Sequence, residues 1–276
     1  MACTTGICAA GGGGALSLHA PSKTAGTSSA GIQRIEGSFT PLVRTSAAKD
    51  LLLSVPVVAS HKLAIKLVRH GQSLANVDAF DPQKHGDFRT PLSPFGVIQA
   101  REAGQRLGPE FLQGALVYAS PYQRTRETLQ ALLEGAGVDR SAPLGIYEDP
   151  RLREQDHGYG NVKQQESLRA THGWFYYRYE GGESPADCYD RVSGFLESMM
   201  RQVERKSASK VLIVTHGMAI RCFVMRFLHL TVDEFEVIDN PTNGAIVTVA
   251  GRGELDEFYL QNEAWRVAGL AGRTPA

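Results

Sequence analysis

The chain has 276 residues, enough for one domain of roughly 200 residues with an appendage. Its 29 Lys and Arg balance its 29 Asp and Glu, which excludes an overall basic footprint for nucleic acid or an acidic membrane surface and leaves anion binding to local groups. Cys3, Cys8, Cys188 and Cys222 have no Cys-x-x-Cys spacing and read as reduced thiols of an intracellular protein, while no apolar run approaches the ~20 residues that span a bilayer.

Residues 1–60 are rich in Ala, Ser, Thr and Gly and reach no acidic residue before Glu36. With Lys23, Arg34 and Arg44 scattered along it, this leader has the composition of a transit peptide to a plastid or mitochondrion. A disordered tail on a soluble cytoplasmic protein has the same composition, and both readings stay open. A secretory signal fits less well, because Met1 to Ala20 has no apolar core behind a basic start. The folded domain is expected over 61–262, with a tail over 263–276.

From Lys62 the pattern is that of an α/β domain, short apolar runs alternating with helical periodicity. Leu63 to Val68 predicts a strand that runs into Arg69-His70-Gly71. Gly96 to Leu107 predicts a helix ended by Gly108-Pro109, with Ser93 as its cap. Ala115 to Ser120 (ALVYAS) predicts a buried strand followed by a helix to about Leu133. After Ser184-Pro185, which read as cap and first helical residue, Cys188, Val192, Phe195, Leu196, Met199 and Val203 recur at helical spacing as core. Lys210 to Gly217 (KVLIVTHG) predicts another strand and Met218 to Leu228 a helix. GAIVTVA and ELDEFYL read as two strands joined at Gly251-Arg252-Gly253, the first an exposed edge through which a homodimer could form. Trp174, Phe175, Tyr176, Tyr177 and Tyr179 read as core or interface rather than as a lid.

One arrangement occurs three times: a buried strand, then Arg or His at its C-terminal end, then a helix. The instances are Val68-Arg69-His70-Gly71, Ala119-Ser120-Pro121-Tyr122-Gln123-Arg124 and Val214-Thr215-His216-Gly217. In open parallel sheets ligands bind beyond the carboxyl ends of the strands, where helix N-termini point their free N–H groups. Two arginines and two histidines gathered there suit a phosphate. A metal ion suits the place poorly, since the arginines repel a cation and no carboxylate cluster compensates; no metal or other cofactor is expected. Arginines also favour the neutral imidazole, so a histidine there can be a nucleophile.

In this order, RHGQSLAN, SPYQRTRET, LREQDHG, GGES and VTHG resemble the histidine phosphatase superfamily, also called phosphoglycerate-mutase-like. LREQDHG, FYYRYEGGES and FEVIDNPTNGAI are similar to plant phosphoglycerate-mutase-like proteins. The resemblance covers about Lys62 to Val249 and implies a three-layer α/β/α sandwich with a mostly parallel central sheet. It implies that His70 is phosphorylated, that Arg69 and Arg124 hold the phosphoryl oxygens, that His216 and Gly217 belong to the phosphate pocket, that Glu154 is the acid and base, and that Asn76 closes the pocket. Glu183 then tethers active-site loops. The lesser alternative for Glu154 is an ordinary salt bridge with Arg151 or Arg153.

Mutases of this family have a tyrosine three residues after the catalytic glutamate and a paired arginine further on. Here His157 takes the tyrosine's place and no Arg-Arg pair occurs up to Gly181. The expected activity is therefore phosphomonoester hydrolysis of a small phosphorylated metabolite such as a sugar phosphate, with mutase-type transfer second and a non-catalytic phosphate-binding module third. Neither nucleic acid nor membrane is expected as a partner.

Overall fold

The computed structural model describes residues 63–273; the leader over 1–60 lies outside them. Seven strands form one sheet in the order β3-β2-β4-β1-β5-β7-β6. β1 (Ala64–Arg69), β2 (Leu116–Ala119), β3 (Gly145–Glu148) and β4 (Lys210–Thr215) are mutually parallel. β5 (Ile246–Gly251) pairs antiparallel with both β1 and β7 (Trp265–Ala268), and β6 (Leu260–Gln261) closes the far edge.

The central strands read as continuous apolar runs because both of their faces are covered. Val117 and Ala119 of β2 and Leu212 and Val214 of β4 pack with Leu107, Leu129 and Leu132 on one side. Their neighbours Leu116, Tyr118, Val211 and Ile213 pack with Val192, Phe195, Ile220 and Phe223 on the other. The helices of the first layer are α2 (Pro94–Leu112) and α3 (Gln123–Gly135); those of the second are α5 (Pro185–Lys206) and α6 (Gly217–Leu228). This is the expected three-layer sandwich. α1 (Pro82–His85), α4 (Val162–His172) and α7 (Val232–Glu236) are shorter and peripheral. No helix among the described residues is long and apolar enough to cross a membrane.

Local signals account for most boundaries. Ser93 Oγ accepts from Gly96 N at 3.0 Å and Pro94 opens α2. Gly108, at φ 73°, breaks that helix where expected, and Pro109 starts one more turn to Leu112. Ser184 and Asp187 form a capping box on α5. The aromatic run divides: Phe175 and Tyr179 are buried, whereas Tyr176 is 65% exposed.

Three expectations are corrected. GAIVTVA is a strand, β5, but it lies inside the sheet between β1 and β7, so it offers no edge for a homodimer. ELDEFYL contributes only Leu260 to the two-residue β6, because the acidic residues Glu254, Asp256 and Glu257 sit in turns and bends. The stretch from residue 263, expected as a tail, supplies β7, whose Val267 is fully buried.

α2 and α3 touch backbone to backbone. A Cβ on Gly104 would lie 2.0 Å from the Leu132 carbonyl oxygen, and one on Gly135 would lie 2.1 Å from that of Arg101. Alanine at 104 gains about 1 kcal/mol of helix propensity, yet the obstacle is backbone and cannot rotate away. Gly104→Ala should therefore lose about 1–3 kcal/mol in urea unfolding, whereas Gly253→Ala, with nothing within 4 Å, should stay within about 0.5 kcal/mol. Equal midpoints for the two variants would contradict this reading of the interface.

Candidate active site

Parallel pairing of β1 with β4 places Arg69 opposite Thr215. The next residues, His70 and His216, therefore leave the sheet side by side, with His70 N donating to Thr215 O at 2.9 Å. Their rings lie 5.2 Å apart in a T-shaped arrangement, and both are buried. β2 ends beside them, Ser120 N donating to Val214 O.

His70 Nδ1 is 2.7 Å from the Gly71 carbonyl oxygen. A carbonyl only accepts, so Nδ1 carries the hydrogen and the lone pair resides on Nε2. Burial, then Arg124, then Arg69 hold its pKa well below 6.5, against the hydrogen bond to Gly71. Gly71 is itself required: a Cβ there would stand 2.1 Å from Gly96 O, where the start of α2 crosses the chain.

His216 occupies the N-cap position of α6. Its Nε2 is 2.8 Å from Ser120 Oγ, and its Nδ1 is buried without a partner. Burial first, then Arg124 and His70, lower its pKa well below 6.5. Arg69 donates Nη1 to Pro241 O at 2.6 Å, while its Nε is buried and unpaired. Its pKa is lowered by burial above all; Glu154 opposes the shift and Arg124 adds to it. Neither α3 nor α6 has a side-chain cap, so first-turn N–H groups of both helices lie at this end of the sheet.

Arg124, in the first turn of α3, is buried and meets Asp87 end-on, Nη1 to Oδ1 at 2.9 Å and Nη2 to Oδ2 at 3.0 Å. Nη1 also donates to the Asp87 carbonyl at 2.8 Å. Among the described residues Nε makes no hydrogen bond, which leaves one edge of the guanidinium open.

Glu154 stands on the loop after β3, free of the ion pairs that sequence reading left open: Arg151 pairs with Asp149 and Arg153 with Glu183. Its Oε1 accepts from Gln155 N at 3.0 Å. Glu183 does tether this loop: it takes Arg191 on both oxygens and Asp156 N on Oε2, and its carbonyl accepts from Gln155 Nε2. Arg191 in turn donates to the carbonyls of Arg151 and Arg153, and Thr215 Oγ1 to that of Leu152.

Arg69, His70, Asn76, Arg124 and Glu154 line one cavity of about 870 Å³. His216 and Gly217 are buried next to it, the His216 ring against that of His70, and Gly217 lets Asn240 approach the start of α6. Asn76 Oδ1 accepts from Ser73 N and Oγ and faces Asn243 Nδ2 at 3.4 Å, which leaves its amide N–H groups as donors. His157 lies on the rim, its ring 4.8 Å from that of Tyr179. Sequence reading missed Asp87, Tyr122 and Asn240. Tyr122 sits next but one to Arg124 and packs its ring 5.2 Å from His216. Among the described residues no group of three or more His, Cys, Asp and Glu is placed to hold a metal ion.

Two buried neutral histidines make stability depend on pH. The unfolded chain takes up protons on both as pH falls through about 6.5, whereas the folded chain does not, so stability rises with pH across this window. Tm should hold above about pH 7 and fall between about pH 6.5 and 5, less steeply in His70→Asn. A flat Tm over that range would mean that the two imidazoles are not held neutral.

The model of the histidine phosphatase superfamily (branch 1) matches residues 65–263. Phosphoglycerate mutase-like protein AT74 of Arabidopsis thaliana is 38% identical over 212 residues, 68% of this chain, which spans 65% of that relative's length. The broad-range acid phosphatase DET1 of Saccharomyces cerevisiae is 28% identical over 295 residues, covering 70% of this chain and 85% of its own. Among solved structures, a mycobacterial glucosyl-3-phosphoglycerate phosphatase superposes with a TM-score of 0.58 over 74% of this chain and 97% of its own, at 22% identity, a likeness of fold. With its sheet, its paired histidines and this match over most of its length, the chain belongs to the histidine phosphatase superfamily.

Proposed function

We propose that the protein is a phosphomonoester hydrolase that works through a phosphohistidine on His70, acting on a small phosphorylated metabolite such as a sugar phosphate. The observation that carries this reading is the state of His70: buried and neutral, with Nδ1–H committed to Gly71 O and Nε2 as its nucleophilic nitrogen beside Arg69 and Arg124. Membership of the superfamily and the acid phosphatase among its relatives support it.

In the first step Nε2 attacks phosphorus, the N–P bond forms and the P–O bond to the alcohol breaks. Charge on the phosphoryl oxygens is met by Arg69, by the open Nε edge of Arg124 and by His216, whose Nδ1–H is available when Nε2 accepts from Ser120 Oγ. Protonated Glu154 gives its proton to the leaving alkoxide. As a carboxylate it then takes one from the water that attacks phosphorus and releases phosphate, leaving His70 neutral again.

Phosphate release measured over a panel of phosphorylated metabolites, with 3-phosphoglycerate isomerisation followed with and without 2,3-bisphosphoglycerate, tests the class of reaction. Hydrolysis should dominate; faster isomerisation would make the protein a mutase. Glu154→Gln should lower kcat/KM, which reports the first phosphoryl transfer and not the later hydrolysis, about 10²- to 10⁴-fold on an alkyl phosphate and far less on 4-nitrophenyl phosphate, whose leaving group needs no proton. Equal losses on both would remove Glu154 as the proton donor.

A further inference from the structure

The cavity wall as a whole carries four carboxylates, Asp81, Asp87, Glu154 and Asp156, against two guanidinium groups, Arg69 and Arg124. The inner end is where a phosphate has partners, since Arg69, His70 and Arg124 line it, with Arg69 Nε unpaired and the His216 ring buried 5.2 Å from that of His70. Both arginines of the wall are thus committed to that end, Arg124 also by its ion pair with Asp87. No Lys or Arg of the wall remains for a second anionic group on the substrate, and His157, an imidazole on the rim with its ring against Tyr179, is the one basic side chain of the wall left outside the inner end.

Such a group would instead meet Asp156 and Asp81. Asp156 is exposed, and its Oδ1 accepts only the Gly158 N–H at 2.8 Å; among the described residues it has no ion pair. Asp81 caps α1 through Gln83 N and shares Lys84 at 3.5 Å on the exposed side, so it repels an incoming anion less than Asp156 does. Apart from His157, the outer wall also presents Phe88, Tyr159, Gln83 and Asn240, which suit hydroxyls and apolar ring faces.

We infer that Asp156, assisted by Asp81, sets the specificity of this cavity by rejecting phosphomonoesters that carry a second anionic group and admitting those of uncharged, hydroxyl-bearing alcohols. The inference rests on the phosphoryl pocket proposed above and adds to it a rule about the leaving group.

Glycerol 3-phosphate and 3-phosphoglycerate differ only in a hydroxymethyl group against a carboxylate, and so isolate the charge. For the full chain at low salt, kcat/KM for glycerol 3-phosphate should exceed that for 3-phosphoglycerate about tenfold or more. Asparagine keeps both the cap at 81 and the acceptor for Gly158 N–H, so Asp81→Asn combined with Asp156→Asn removes charge with little change of shape. The double variant should narrow the ratio to about twofold, as should high salt in the unmodified protein. A ratio near one in the unmodified chain, or one that the double variant leaves unchanged, overturns the inference. Calorimetric binding of both esters to the His70→Ala protein reads the same preference without turnover. Preferential binding of glycerol 3-phosphate with hydrolysis of neither ester by the unmodified chain would sink the hydrolase reading and keep the charge rule; equal affinities with hydrolysis of both would do the reverse.

Discussion

The register between β1 and β4 is the constraint on which the site depends. Because Arg69 lies opposite Thr215, the residues that follow are two histidines leaving adjacent parallel strands at the same height. A slip of one residue would turn His70 or His216 into the opposite layer. The register is fixed by burial on both faces, with Ile65, Leu67, Val211 and Ile213 in one core and Val68, Leu212 and Val214 in the other. β2 joins at the same level and brings Ser120 against His216. Hydrophobic packing of three strands thus sets the geometry of a polar site, and the loops contribute Glu154 and Asp87 afterwards.

The electrostatics follow from that placement. A histidine out of water between two arginines is neutral, because a third positive charge would be neither hydrated nor paired. The Gly71 carbonyl then decides which nitrogen holds the hydrogen. Asp87 has the complementary role for Arg124: it balances a buried guanidinium through both Nη atoms and leaves Nε uncommitted. An unpaired buried polar group costs about 1–3 kcal/mol. Arg69 Nε and His216 Nδ1 both carry that cost, on residues at the carboxyl ends of the paired strands β1 and β4, where the proposed phosphoryl group would offset it.

Much of this was legible in the chain, for reasons that differ between residues. Fully buried strands such as KVLIVT and LVYA declare themselves as apolar runs, and the capped starts of α2 and α5 by Ser-Pro. β3 and β7 do not: GIYE is half-exposed at the sheet edge, and WRVA buries only Val267. ELDEFYL misled because alternation without burial is not a strand. Among site residues, those tied to strand ends were found, since the strand–Arg/His–helix pattern is local. Asp87 was not, because its partner Arg124 lies 37 residues away and nothing around it marks the pairing. His216 and Gly217 were expected in the pocket; both are buried at the end of β4, the His216 ring 5.2 Å from that of His70.

The central claim is that His70 Nε2 takes the phosphoryl group, and it can be examined by trapping the enzyme during turnover. Rapid alkaline quenching preserves a phosphohistidine, and peptide mass spectrometry then locates the group. A phosphoryl group on His70, absent in His70→Ala and lost on mild acid treatment, is the predicted result. Unimpaired turnover with the group on another residue, or with none trapped even when hydrolysis is slowed in Glu154→Gln, would contradict it.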